Sequence, residues 1–332
     1  MRLDRVLPFL LGLACLVTAV AISGCQGSSE SSPGTESAGT TTGGGSGGFT
    51  GGSPSMEGLI RLTPAWEITD GLSNPESVFY HAPSDQLFVS NVAGGGTDKD
   101  GEGWISIISP LGEMISDQWV TGLNGPKGIR ATETMLWVSD IDRLIGITIE
   151  TGEKTHQIDV PGARFLNDVA IDESGNVYVS DMLTSKIHRW DGTQLEEFVS
   201  GDEFESPNGL LVVGDQLYVA AWGLTDNFET ETPGRLYHID LESRDQTMIT
   251  PDPTGNLDGI ELLSAADADP LTFVVSDWNA GKLFSIDVNG NVKEILQDSK
   301  GTADVAFHRD DRLLLIPQMQ ANKLMAYKVD ML

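Results

Sequence analysis

The chain has 332 residues, enough for one large β domain or two smaller ones. It carries 49 Asp and Glu against 20 Lys and Arg, a formal net charge of −29, and a surface this acidic repels nucleic acid and anionic lipid headgroups. Its two cysteines, Cys15 and Cys25, both fall near the start, so the rest of the chain has no thiol for a disulfide, a metal thiolate or a nucleophile.

In chain order, the first element is a leader. Arg2 and Arg5 precede an almost wholly apolar run from Leu7 to Ile22, closed by Ile22-Ser23-Gly24-Cys25. This looks like a bacterial lipoprotein signal, with 1–24 removed and Cys25 lipidated. An ordinary signal peptide or a membrane anchor is the alternative, but the run is short for a spanning helix. The reading predicts a protein of the cell envelope, held to the membrane by its N-terminal lipid. Gln26 takes the place where an Asp would signal retention, which points to the outer membrane, facing periplasm or surface, in a Gram-negative host. The lipidated Cys and a Gly/Ser/Thr-rich linker fill 25–56, with no aromatic before Phe49. Such a segment cannot bury a core, and about 30 residues of it span roughly 30 Å.

From 57 to 332 the sequence predicts short strands. Runs such as Asn176–Ser180, Gln216–Val219, Thr272–Ser276 and Arg312–Ile316 are apolar, β-branched or aromatic, with Gly, Asp and Asn between them. No long stretch has a helical apolar period. A short pattern recurs six times, opening at Pro75-Glu76, Pro126-Lys127, Leu166-Asn167, Pro207-Asn208, Leu257-Asp258 and Ala303-Asp304. Lead residues 76, 127, 167, 208, 258 and 304 are 51, 40, 41, 50 and 46 apart. Steps of this length, each with several strands, predict an all-β, six-bladed β-propeller. The sixth copy has little room for a fourth strand, and Leu59–Ile68 is expected to supply it and close the ring.

In such a ring the six lead side chains meet on one axis. A second polar position recurs in Ser90-Asn91, Ser139-Asp140, Ser180-Asp181 and Ser276-Asp277, and it is expected to stack a second ring around the same mouth. Glu76, Asp258 and Asp304 would repel one another in a narrow channel. Lys127 offsets one charge, and a divalent cation would neutralise the other two. Oxygen donors without His or Cys favour a hard ion, Ca²⁺ first, with Mg²⁺, Mn²⁺ or Zn²⁺ as alternatives. Equally open at this point is a structural ring whose Asp and Asn hydrogen-bond neighbouring blades. The long loops 91–103 and 222–234, the latter with Trp222, are expected to wall the mouth.

At these leads the domain, from about residue 70, resembles the senescence marker protein, gluconolactonase and luciferin-regenerating enzyme family. Its members are six-bladed propellers with one divalent metal, and several are lactonases. The resemblance rests on Glu76 opening the first blade, Asn208-Gly209, Asp258-Gly259 and Asn167-Asp168. It implies Glu76, Asn208, Asp258 and Asn167 as metal ligands, Asn167 also touching substrate, and a small-molecule substrate such as a sugar lactone. Asp258 is then the first candidate base, with Asp304 and Asp181 as rivals. Lys127 would stabilise the oxyanion or receive a substrate carboxylate. Asp181 and Trp222 are further candidates for substrate contact. Asn74-Pro75-Glu76-Ser77 departs from the family's usual Gly-Glu context. No Ser–His–Asp set is indicated, because all five histidines fall away from the leads. Two rival readings are a non-catalytic propeller that binds a ligand or protein at the cell surface, and a relative of strictosidine synthase, which lacks this metal set.

Overall fold

The computed structural model describes residues 60–331. The leader, Cys25 and the linker up to residue 56 lie outside the described residues. Twenty-four strands form six four-stranded antiparallel sheets. Numbering strands β1 to β24 in chain order, blade one is Pro75–His81 (β2), Gln86–Asn91 (β3), Gly103–Ile108 (β4) and Met114–Leu123 (β5). The inner strands of blades two to five are Pro126–Ala131 (β6), Leu166–Ile171 (β10), Pro207–Val213 (β14) and Leu257–Leu262 (β18). Blade six is assembled from two distant parts of the sequence. Ala306–His308 (β22), Leu313–Gln318 (β23) and Lys323–Met331 (β24) are joined at the outer edge by Ile60–Ile68 (β1), which pairs antiparallel to β24 from Ile60↔Met331 to Ile68↔Leu324.

Each inner strand packs beside the next, and β22 returns to β2. The molecule is therefore a six-bladed ring. Among the described residues the only helical pieces are four three-residue 3₁₀ turns, and no helix is long and apolar enough to cross a membrane.

Burial falls outward from the axis. The second strand of blade three, Val177–Asp181 (β11), is buried throughout, whereas the outer strand of blade two, Lys154–Asp159 (β9), is almost wholly exposed. Strands covered on both faces read as unbroken apolar runs, which is why Val-Tyr-Val and Phe-Val-Val were legible. The core lies between facing blades: Tyr178, Ile187 and Phe198 of blade three pack on Leu217, Val219 and Tyr237 of blade four. Burying one such side chain stabilises by about 1.5–3 kcal/mol. The Tyr237 hydroxyl, fully buried, donates to the Phe204 carbonyl at 2.7 Å.

The recurring serines join blades. Ser180 Oγ accepts the Asp168 N–H at 2.9 Å in its own blade and donates to the Asn208 carbonyl at 2.7 Å in the next. Ser276 does the same with the Gly259 N–H at 2.7 Å and the Ala303 carbonyl at 2.9 Å. Ser139 donates to the Asn167 carbonyl. Each of these hydroxyls fixes the backbone around a neighbouring lead position.

Candidate functional site

In five inner strands the register slips directly after the lead position, between Pro75 and Val78, Pro126 and Ile129, Leu166 and Val169, Pro207 and Gly209, and Leu257 and Ile260. Such a bulge releases residues from the ladder and re-aims their side chains. The residue after the lead is glycine in three blades because the neighbouring strand is very close. A Cβ on Gly209 would lie 1.9 Å from the Asp258 carbonyl oxygen, and one on Gly259 2.5 Å from the Asp304 Cα. The Asn-Gly and Asp-Gly pairs thus have a packing cause independent of any chemistry.

Five of the six leads meet at one cavity of about 360 Å³: Glu76, Lys127, Asn167, Asn208 and Asp258. Three of them form a chain. Asn167 Nδ2 donates to Asn208 Oδ1, and Asn208 Nδ2 donates to Asp258 Oδ1 at 2.7 Å. Glu76 is buried and its Oε2 has no hydrogen-bond partner. Lys127 Nζ donates to the carbonyls of Gly96 at 3.0 Å and Gly125 at 2.9 Å, and stands 4.2 Å from the Phe165 ring centroid. The walls are aromatic. Trp222 and Trp278 meet at a 51° tilt with centroids 6.0 Å apart, and Phe165 meets Phe228 edge-on at 4.9 Å. Loop 91–103 supplies Gly96 and Thr97, and loop 222–234 supplies Trp222 and Phe228, so both expected loops border the mouth. A larger open groove of about 900 Å³ between residues 183–205 and 224–233 contains none of the lead residues.

Asp304 and Asp181 stand elsewhere. Asp304 precedes its short strand and turns away from the cavity: Oδ2 accepts from Ser77 Oγ at 2.6 Å and Arg130 Nη1 at 3.4 Å. Asp181 accepts the Phe165 N–H at 2.8 Å and the Thr184 hydroxyl at 2.5 Å. Its equivalents behave alike: Asp140 Oδ1 takes the Asn124 and Gly125 N–H groups at 2.8 and 2.7 Å, and Asn91 Oδ1 takes that of Ser73 at 2.9 Å. The second polar ring therefore ties down loops; it does not face the mouth as the sequence had suggested.

The sequence reading of the site gave no role to Arg130 or Asp168, nor to the cavity residues Phe165, Trp278 and Lys300. Arg130 on β6 is buried, with Nη1 3.4 Å from Asp304 and Nη2 4.0 Å from Asp168 Oδ2. Asp168 Oδ2 also accepts the Leu210 N–H at 2.7 Å. A second charge, after Lys127, in a six-residue inner strand was the available signal, since Arg is seldom buried without a partner.

Burial pushes Glu76 well above the usual carboxylate range, with Asp258 and Asp304 adding to it and Lys127 opposing. Burial also raises Asp258 strongly, followed by the charges of Asp304 and Asp168. Asp168 is pushed up to about 8 by burial and then by Asp304, against the pull of Arg130. Burial lowers Lys127 to about 8, against the attraction of Glu76. Among the described residues no three His, Cys, Asp or Glu side chains gather in metal-binding geometry. A cation here would have to combine Glu76 and Asp258 with the amide oxygens of Asn208 and Asn167. The orphaned Glu76 oxygen and the all-oxygen donor set fit such an ion.

No family model and no curated protein matches the chain. Solved structures do match. A streptogramin B lyase superposes with a TM-score of 0.57 at 13% identity, over 84% of this chain and 100% of its own. A gluconolactonase from Xanthomonas campestris gives 0.56 at 13%, over 84% and 98%. The fold is a six-bladed β-propeller of the kind these proteins share. An auxiliary nutrient-binding protein from Bacteroides ovatus gives 0.59 at 12% identity, over 82% and 78%, so catalysts and binders share this architecture.

Proposed function

We propose that the protein is a divalent-cation-dependent hydrolase that opens a lactone or related cyclic ester at the channel mouth. One observation carries the reading. Glu76 and Asp258 are buried at one cavity with no Lys or Arg nitrogen in ion-pair distance among the described residues, and one Glu76 oxygen has no partner at all. Unpaired buried carboxylates are costly, and a hard cation with Glu76, Asp258, Asn208 and Asn167 would relieve that cost. Ca²⁺ suits these donors first, with Mg²⁺, Mn²⁺ or Zn²⁺ as alternatives. When bound, such an ion polarises an ester carbonyl and acidifies water. The side chains have separable tasks. Asp258, kept ionised by such an ion and bordering the cavity, is the carboxylate placed to take a proton from water. Lys127, held by two carbonyls, presents positive charge to a developing oxyanion. Trp222 and Trp278 position the ring and keep bulk water out.

Metal analysis of the purified chain, of its Asp258→Ala variant and of a chelator-treated sample tests this, alongside a lactone panel with and without chelator. The expected result is one divalent ion per chain, lost in the variant, with ring opening that chelator abolishes. A wild type without divalent ion above background would sink the proposal. The same aromatic walls suit a non-catalytic receptor; a nutrient-binding protein shares the fold, and metal without turnover would favour that reading. The proposed place of work is the cell envelope, through lipid on Cys25; fatty-acid labelling lost in Cys25→Ser is the check.

A further inference from the structure

Cations are scarce in this chain, and six surface lysines away from the cavity hold protein oxygens: four of them are matched to acids, and Lys154 and Lys328 donate to backbone carbonyls. Lys99, Lys186, Lys282 and Lys323 each lie within 4.0 Å of a carboxylate. The two lysines at the cavity differ. Among the described residues, no carboxylate lies within that distance of Lys127 or Lys300. Both are held against aromatic rings, Lys127 4.2 Å from the Phe165 centroid and Lys300 5.0 Å from that of Trp278. Both line the cavity, Lys127 buried at its floor and Lys300 exposed at its rim. The Lys300 turn is fixed by the next residue, whose N–H donates to the Trp278 carbonyl at 2.8 Å.

An ammonium has three donors. Lys127 spends two on carbonyls, and Lys300 has no hydrogen bond to a protein oxygen among the described residues. A ring face steadies a cation without neutralising it. A chain of net charge −29 repels anions over most of its surface. Two ammonium groups without an ion-pair contact at one mouth therefore mark the place where an anion is admitted once a divalent ion balances Glu76 and Asp258.

We propose that the substrate of this cavity is itself anionic, a cyclic ester bearing a carboxylate, and that Lys300 selects it at the rim while Lys127 receives charge at the floor. This rests on the small-molecule reading above and names its substrate class. With a divalent ion offsetting Glu76 and Asp258, the two lysines leave the cavity net positive.

The test uses two lactones that differ only at the terminal carbon. D-glucaro-1,4-lactone carries a carboxylate there, and D-glucono-1,4-lactone a hydroxymethyl group. Affinities are measured by titration calorimetry on the full chain with calcium at low salt, and ring opening is followed separately. The carboxylate compound should bind about tenfold tighter, as one charge-assisted contact implies. Lys300→Met should remove most of that preference while changing the neutral lactone less than about twofold, and Lys300→Arg should restore it. Equal affinities, preference for the neutral lactone, no binding of either, or an equal loss of both in Lys300→Met would overturn the inference. Ring opening with a neutral preference would refute the anion and leave the hydrolase standing; tight carboxylate binding without ring opening would do the reverse.

Discussion

Raising the pH should destabilise this protein when it is stripped of divalent ions. Glu76, Asp168 and Asp258 all have folded values above their unfolded ones, and for Asp168 the window runs from 3.8 to about 8. Inside such a window the folded carboxyl holds a proton that the unfolded chain has released. Stability then falls as pH rises. Each carboxyl held protonated contributes a slope of about 1.4 kcal/mol per pH unit. His188 and His238, lowered mainly by burial, act in the opposite sense, but only below their ordinary 6.5. Lys127 opposes only above about 8. The clean interval is therefore about pH 6.5 to about pH 7.5. There the Asp168 carboxyl alone gives a loss of up to about 1.4 kcal/mol, and Glu76 and Asp258, raised in the same direction, add to it. Urea unfolding followed by tryptophan fluorescence in EDTA measures it. Calcium should flatten the slope, since an ion on Glu76 and Asp258 keeps them ionised in the fold. Stability that is flat or rising across that interval in EDTA would refute the electrostatic account of the channel.

Three substitutions probe other parts of the same structure. Arg130→Met leaves Asp168 and Asp304 without their counter-charge, and should cost about 3–5 kcal/mol in urea unfolding above about pH 8, where Asp168 is ionised, and less below it. Gly209→Ala places a Cβ 1.9 Å from the Asp258 oxygen, and should cost at least about 1–3 kcal/mol in thermal unfolding, with weakened calcium binding because Asn208 and Asp258 must separate. Ser180→Ala removes the acceptor of the Asp168 N–H and the donor to the Asn208 carbonyl. A loss of about 1–3 kcal/mol is expected by denaturant titration, with calcium affinity falling as the Asn208 backbone loosens.

The six-fold count was legible because a polar lead recurs at a near-constant step, each time followed by a buried second strand that reads as a dense apolar run. The gathering of Glu76, Asn167, Asn208 and Asp258 followed from rotational spacing alone. Asp304 departed from that pattern because its strand is the short one, starting only at Ala306. Its carboxylate meets Ser77 across the blade-six to blade-one junction and Arg130 of blade two beyond it. A repeat-by-repeat reading has no term for a partner 174 residues away. Asp181 misled for another reason. Its motif is regular because loop capping is needed in nearly every blade, so recurrence signalled joinery there and not a site.

The pairing of Ile60 with Met331 sets an order on assembly. Five blades can condense as each stretch of chain becomes available, but the sixth has no outer edge until residues 323–331 find residues 60–68. Ring completion is thus the most non-local event in the fold and the slow one by contact-order reasoning. The same step brings the Asp304 amide to the Glu76 carbonyl. A half-made toroid would therefore hold an unset cavity, and competence at the axis would arrive only with the last seam.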